Sequence, residues 1–143
     1  MSSNRDLLDR AVAVYNAGDL DGYVDLYADD AVLTTPEGVF TGRSDIRDRF
    51  ARELTALSDV EFRLLSYVED ENRFADEFVF AGTHTGPLLM PDGSQLPATG
   101  RRIEIKGMEM VIVRDGKMVV DNLYYDNVAL LLQLGLMPAP ASA

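Results

Sequence analysis

The stretch GDLDGYVDLYADDAVLTTPEGVFTGRSDIRDRF, residues 18–50, carries two helical patterns separated by an extended one. In its first part, Asp19 or Asp21 can cap a short helix that ends in the acidic pair Asp29–Asp30. The apolar residues on one side of this helix are Leu20, Val24 and Tyr27. Two β-rich segments then flank the pair Pro36–Glu37, which predicts a small hairpin over residues 31–35 and 38–41.

Helical spacing also marks the sequence on both sides of this region. Ser44 is a suitable cap for a third helix, whose apolar face carries Ile46, Phe50 and Leu54. Upstream, a first helix is predicted to follow Ser3 or Asn4 and to stop at Asn16–Ala17–Gly18. Its apolar residues are Leu8, Ala11, Val12 and Tyr15. Three helices are therefore expected in the N-terminal part.

From residue 60 the apolar period changes from helical to alternating, which predicts strands. They run over Val60–Glu69, Arg73–His84, Arg102–Arg114 and Lys117 to about Asn127. Turn residues separate neighbouring strands and favour antiparallel pairing. Helices followed by strands predict an α+β fold, with the helices on one face of an antiparallel sheet.

The long segment TGPLLMPDGSQLPATG, residues 85–100, interrupts the predicted sheet. A connection of this length in a compact domain is either a functional lid or a mobile loop, and its apolar centre suits a lid over a pocket. Both alternatives stay open. We expect one domain over residues 1–137, without internal repeats, and a flexible C-terminal tail over residues 138–143.

Composition excludes several classes of partner. The formal net charge is −11, from 24 acidic and 13 basic residues, and would repel nucleic acid and anionic membranes. With one histidine and no cysteine, a transition-metal site is not expected. There is no glycine-rich phosphate loop either. We therefore expect no metal, no cofactor, and a cytoplasmic protein that works with its side chains alone.

Three segments together resemble a known family. Residues 18–50 look like the opening of nuclear-transport-factor-two-like domains, where an ADDA corner leads from helices into a hairpin. The segments GTHTGPLLMPDGSQLPATGRRIEIKGMEMVIVRDGKMV, residues 82–119, and DNVALLLQLGL, residues 126–136, resemble the SnoaL-like polyketide cyclase branch. The resemblance implies a cone-shaped, curved antiparallel sheet wrapped around three N-terminal helices. It also implies a homodimeric, cofactor-free enzyme of secondary-metabolite or antibiotic biosynthesis that closes a polyketide ring in an apolar pocket.

Functional residues carry over from the resemblance only in part. The acidic residue that the cyclases keep after a tryptophan in the last strand corresponds here to Leu123, which follows Asn122. In a comparison with ketosteroid isomerases, the oxyanion-hole tyrosine falls on Ala11 and the base on Thr35, whereas the protonated aspartic acid falls on Glu109. Steroid isomerisation by that mechanism is therefore not expected.

Three residues are candidates for catalysis. Asp121 shares a strand face with Leu123, and burial there would raise its pKa toward that of a general base, unless it lies at a solvated strand end. Glu109, within KGMEMVIV, needs a partner or a function: either a pocket acid or base, or a solvated or interface carboxylate. His84 lies at the root of the loop and is either a pocket residue or a core histidine.

The predicted substrate-binding residues are Tyr15, Tyr27, Phe50, Leu88, Met108, Leu123 and Tyr125. Aromatic residues and methionines at such spacing also occur in ordinary cores. The function expected first is ring closure of a hydrophobic, polyketide-like substrate, by an aldol-type or a pericyclic, Diels-Alder-like route. The alternatives are a non-catalytic module that binds a hydrophobic small molecule, and a small epoxide or ester hydrolase.

Overall fold

The computed structural model describes residues 3–90 and 92–138. Its elements in chain order are α1 (Asn4–Asn16), α2 (Leu20–Val24), β1 (Tyr27–Thr35), β2 (Gly38–Thr41), α3 (Gly42–Ala56), β3 (Leu57–Glu69), β4 (Arg73–His84), β5 (Leu88–Leu89), β6 (Gln95–Leu96), β7 (Arg102–Arg114), β8 (Lys117–Tyr125) and α4 (Asn127–Leu134). Apart from Pro138, the predicted flexible tail lies outside the described residues.

Six strands form one curved sheet in the order β2-β1-β8-β7-β4-β3. Every neighbouring pair is antiparallel except β1 and β8, which are parallel. Register shifts in β3 mark bulges, which bend a strand and increase its twist. The helices α1 and α3 pack on the inner face of the sheet through side chains such as Leu8, Tyr15, Ile46 and Phe50. The predicted α+β class, a curved and mainly antiparallel sheet around helices, is confirmed.

The first helix begins with the predicted cap at Ser3, and the last helix has a side-chain cap as well. Ser3 Oγ accepts from the backbone N–H of Asp6, while Asp6 Oδ2 accepts from the N–H of Ser3, which completes a capping box. Asp126 accepts from the N–H of Ala129 at the start of α4. α3 differs, because it begins at Gly42 directly after β2, with Thr41 at the cap position. The prediction that Ser44 caps this helix is therefore wrong.

The second helix is shorter than its apolar pattern predicted. It ends at Val24, and Tyr27 already belongs to β1. The backbone N–H of Met118 donates to the carbonyl of Leu26, and Tyr27 is fully buried in the core. Pairing with β8 at this point satisfies the backbone and buries the tyrosine, so tertiary packing outweighs local helical spacing. The other strands begin and end at or near the predicted residues.

The segment 85–100 contains a small hairpin, β5 paired with β6, that contacts α3. At its start, the N–H groups of Thr85 and Gly86 both donate to the carbonyl of Ala56, at 3.1 Å. At its end, the N–H of Gly100 donates to the carbonyl of His84 at 2.8 Å. The hairpin is thus tied to the fold at both of its roots. Within the described part of the chain, no helix is long and apolar enough to cross a membrane.

Candidate functional site

A cavity of about 130 Å³ lies between the helices α1 and α3, the inner face of the sheet and the β5–β6 hairpin. Its volume is close to the roughly 150 Å³ of a cavity known to admit benzene. Most of its wall is apolar or aromatic, with Phe50, Phe62, Phe78, Phe80 and Leu123 among the lining side chains. The titratable groups in the wall are Tyr15, Tyr23, Glu37, Arg49, Arg52, Glu53, His84, Glu109, Asp121 and Tyr125. The site can therefore hold a small apolar molecule and contact it at a few polar points.

Three carboxyl groups from three adjacent strands meet beneath this cavity. Asp76 on β4 is paired directly with Glu109 on β7, and Asp121 on β8 lies diagonally across from Glu109. Their exposed fractions are 2%, 8% and 1% respectively. Glu109 and Asp121 line the cavity, whereas Asp76 lies behind Glu109. Side chains alternate between the two faces of the sheet along each strand. The three residues occupy inward-facing positions on neighbouring strands, so their carboxyl groups come together.

Burial dominates the protonation of this cluster. Desolvation raises the pKa of Glu109 well above its ordinary value, and the charges of Asp121 and Asp76 raise it further. Desolvation also raises the pKa of Asp121, although hydrogen bonds from Glu109 and Tyr27 and the charge of Arg49 oppose this rise. Burial thus favours the protonated form of Glu109, while Tyr27 and Arg49 favour the ionised form of Asp121. Such a pair combines an acid and a base within one site.

Two tyrosine hydroxyls extend the acid cluster toward the helices. The hydroxyl of Tyr27 donates to Asp121 Oδ2 at 2.6 Å, and the hydroxyl oxygens of Tyr23 and Tyr27 lie 3.3 Å apart. Burial raises the pKa of both tyrosines, so both stay neutral donors. The short bond from Tyr27 stabilises the ionised form of Asp121 in particular.

A second polar group surrounds Arg49, a buried side chain of α3. Arg49 Nη2 lies 3.2 Å from Glu37 Oε1 and donates to the hydroxyl of Tyr125 at 3.4 Å. Arg49 Nη1 lies 3.2 Å from Glu53 Oε1, and Glu53 Oε2 accepts from the hydroxyl of Tyr15 at 2.6 Å. Burial lowers the pKa of Arg49, but the charges of Glu53 and Glu37 outweigh it and raise this pKa, so the guanidinium stays charged.

His84 contacts the end of the hairpin segment through Thr99. His84 Nδ1 lies 2.9 Å from Thr99 Oγ1 and accepts from the Thr99 backbone N–H at 3.3 Å. An N–H donor aimed at Nδ1 requires a lone pair there, which assigns the ring proton to Nε2. His84 is fully buried, and its Nε2 has no partner among the described residues. His84 is one of the side chains that line the cavity.

The structure places most of the predicted binding residues around the cavity. Tyr15, Phe50, Leu88, Leu123 and Tyr125 line it together with His84, Glu109 and Asp121. Their roles in binding or catalysis stay predictions. Tyr27 lies behind the wall and reaches the site through Asp121.

Met108 was also predicted to line the pocket, and this prediction is wrong. Met108 lies on the outer face of β7 and is 44% exposed. Since neighbouring side chains of a strand point to opposite faces, Met108 and Glu109 cannot both face the cavity. Asp121, by contrast, is buried in the sheet rather than at a solvated strand end.

Sequence reasoning missed Asp76 and Arg49. A signal for Asp76 was available, because it falls between Phe74 and Phe78 on the inward face of β4. Arg49 follows Ile46 by one helical turn and so falls on the buried face of α3, where a charge needs partners. The described residues contain no group of three or more His, Cys, Asp or Glu side chains arranged to hold a metal ion.

The curved sheet and the helices that it encloses define a nuclear-transport-factor-two-like fold with an apolar cavity between them. The chain belongs to the SnoaL-like polyketide cyclase family, whose sequence model matches residues 5–134.

Solved structures with the same fold include AclR, IdmH and TerC. AclR from Streptomyces galilaeus, a candidate hydroxylase, is 25% identical with a TM-score of 0.80, over 96% of this chain and 87% of AclR. IdmH from Streptomyces antibioticus, a candidate polyketide cyclase, is 27% identical with a TM-score of 0.76, over 94% of this chain and 99% of IdmH. TerC, co-crystallised with polyporic acid, is 18% identical with a TM-score of 0.73, over 94% of this chain and 99% of TerC.

Proposed function

We propose that this protein is a cofactor-independent cyclase that closes a ring in a small, polyketide-like substrate by an aldol-type reaction. The observation that carries the proposal is the pair of buried carboxyl groups, Glu109 and Asp121, in the wall of an apolar cavity. Membership of the SnoaL-like family and the likeness to IdmH, a candidate polyketide cyclase, support the substrate class. That a protein of the same fold, TerC, was co-crystallised with polyporic acid fits a cavity for such molecules.

In the proposed reaction, the Asp121 carboxylate removes a proton from the carbon next to a substrate carbonyl. The resulting enolate carbon attacks a second carbonyl carbon of the same molecule, which forms the ring bond. The oxygen of this second carbonyl takes the proton of the Glu109 carboxyl and becomes a hydroxyl. Asp121 is then protonated and Glu109 ionised, and transfer of the proton from Asp121 to the neighbouring Glu109 restores the starting state. The pair is reset without a cofactor or an external proton.

Positions around the cavity fit supporting roles in this reaction. Tyr27 holds Asp121 in its ionised form through a 2.6 Å hydrogen bond. His84 offers its Nε2 proton to a substrate oxygen as that oxygen gains negative charge. Phe50, Leu88, Leu123 and Tyr15 shape the cavity so that a flexible chain is held with its reacting ends together.

A second candidate is a pericyclic closure in the same cavity. It is favoured by the apolar Leu123, which occupies the place where the resembling cyclases keep their acid. A pericyclic reaction needs a matching shape and hydrogen-bond donors rather than proton abstraction. In that case Glu109 and His84 orient the substrate, and Asp121 removes no proton.

Measuring proton exchange and ring closure in the same sample distinguishes the aldol route from the pericyclic route. An acyclic δ-diketone, whose ends can close to a six-membered ring, is incubated with the protein in deuterated water and followed by NMR. For the aldol route we expect deuterium at the carbons next to the carbonyls, and faster ring closure than in buffer. Asp121→Asn and Glu109→Gln should each lower the rate by about a hundredfold or more. Glu77→Gln, an exposed change on the outer face of β4, is the matched control.

The other outcomes decide against the aldol route. Accelerated closure of a linear polyene precursor, without deuterium exchange and with full activity in Asp121→Asn, would support the pericyclic route. A ligand that binds tightly and returns unchanged after long incubation would support a non-catalytic binding module. Release of an acid or diol from an ester or epoxide would support a hydrolase.

Homodimer assembly and a cytoplasmic location stay predictions from the sequence. For the dimer, the supporting feature is the outer face of β7 and β8, which exposes the apolar side chains Met108, Ile112 and Tyr124. Met108 is paired directly with Tyr124, and Ile112 lies further along the same face of β7. Light scattering of the purified protein measures the number of chains directly.

A further inference from the structure

Arg49 carries hydrogen-bond donors that nothing in the described chain uses. Its side chain is 4% exposed, and it lies in the wall of the cavity. Nη2 donates hydrogen bonds to Glu37 Oε1 and to the hydroxyl of Tyr125. Nε and Nη1 are buried without a hydrogen-bond partner among the described residues, although Nη1 lies within ion-pair distance of Glu53.

Buried donors of this kind are rare, because each loses its hydrogen bonds to water and gains none in return. Arg49 is also charged, which makes the missing bonds more costly. Since Arg49 borders a cavity, a molecule in that cavity can supply the missing acceptor. The guanidinium presents its donors as a rigid planar fork, so it can fix the orientation of an acceptor oxygen.

The surrounding charges decide which kind of oxygen fits. Glu37 and Glu53 both contact Arg49, so two carboxylates already face one guanidinium. A carboxylate or phosphate on the ligand would bring a further negative charge into a site that already holds Asp121 and Glu109. A neutral carbonyl oxygen accepts hydrogen bonds without adding charge. The aromatic wall nearby, with Phe50 and Phe80, favours a ligand that is otherwise apolar.

We propose that Arg49 forms a binding subsite for the neutral carbonyl oxygen of a small, otherwise apolar ligand. The inference rests on the proposed function for its substrate class and adds the orientation of that substrate. The carbonyl oxygen lies at Arg49, and the adjacent carbon lies toward Glu109 and Asp121. Hydrogen bonds from a cation to this oxygen also make the adjacent carbon more acidic, which assists removal of its proton.

Binding of three probes of similar size tests the subsite on the full chain. Acetophenone carries the neutral carbonyl, ethylbenzene lacks an acceptor, and benzoate carries a charge. We expect acetophenone to bind more tightly than the other two and to shift the NMR resonance of the Arg49 Nε–H. Arg49→Lys keeps the charge but loses the fork, and should weaken acetophenone binding about tenfold. Ethylbenzene affinity should stay the same in this variant.

The matched control is Arg47→Lys, the same substitution at an exposed position of α3, which should change neither affinity. Three results would overturn the subsite. These are tighter binding of benzoate than of acetophenone, an equal loss of both neutral probes in Arg49→Lys, and acetophenone binding that is absent or leaves the Arg49 resonance unmoved. The assay needs no turnover, so carbonyl binding through Arg49 without ring closure would refute only the proposed function.

Discussion

Replacement of Asp76 by asparagine should stabilise the protein at neutral pH, because it replaces a buried ionisable group with a neutral one. Desolvation, with the charge of Asp121, raises the pKa of Asp76 from 3.8 to about 6. The folded protein therefore binds more protons than the unfolded chain between about pH 4 and pH 6, and its free energy of unfolding falls as pH rises through this range. One pKa unit corresponds to about 1.4 kcal/mol, so ionised Asp76 costs about 3 kcal/mol.

Asparagine has nearly the same shape and does not ionise. The difference in unfolding free energy between Asp76→Asn and the wild type should therefore grow in favour of the variant by about 3 kcal/mol from about pH 4 to pH 7. The groups that face Asp76 are Glu109 on β7, Asp121 on β8 and Tyr67 on β3. Glu109 and Asp121 titrate with Asp76, and loss of its charge lowers the pKa of Glu109 and adds to the gain.

Urea unfolding, followed by circular dichroism at several pH values, measures this difference directly. Asp48→Asn, an exposed substitution on α3, is the control and should show no comparable growth with pH. A stability difference for Asp76→Asn that stays constant from about pH 4 to pH 8 would refute the reasoning, because Asp76 would then ionise as easily in the folded protein as in the unfolded chain.

Two further substitutions test other parts of the site. Tyr27→Phe removes the 2.6 Å hydrogen bond to Asp121, so the pKa of Asp121 should rise and the acid side of the pH–rate profile should move to higher pH; an unmoved profile would separate Asp121 from proton transfer. Gly86→Ala should destabilise the protein by about 1 to 3 kcal/mol in urea unfolding, since an added Cβ would overlap the carbonyl oxygen of Thr55. Unchanged stability would mean that the root of the hairpin is free to move.

Part of the candidate site could be predicted from the sequence. The resemblance pointed to the position of Leu123, strand alternation then offered Asp121, and the apolar surroundings of Glu109 suggested a pocket acid; the structure places all three in the cavity wall. The same rule applied to β4 would have found Asp76, which falls between two inward-facing phenylalanines. The prediction for Met108 was wrong because it rested on residue type. The position of Met108 in β7 faces outward.

The sequence by itself determined the elements and the family of this protein. Helical and alternating periods, capping residues and turns are local properties, so they can be read along the chain. They predicted the bounds of α1, β4 and β7 closely. Three segments of the sequence carried the family resemblance. Composition likewise settled the strongly acidic character of the chain.

Only the tertiary structure decided which polar groups meet. The parallel pairing of β1 with β8 ends α2 early and brings Tyr27 to Asp121, a partner 94 residues away in the chain. The packing of α3 on the sheet brings Arg49 to Glu37 and Tyr125. Such contacts depend on register and on burial, which join distant segments, and no local pattern specifies them. The same burial raises the pKa values of the acids, so the chemistry of the site is a property of the fold.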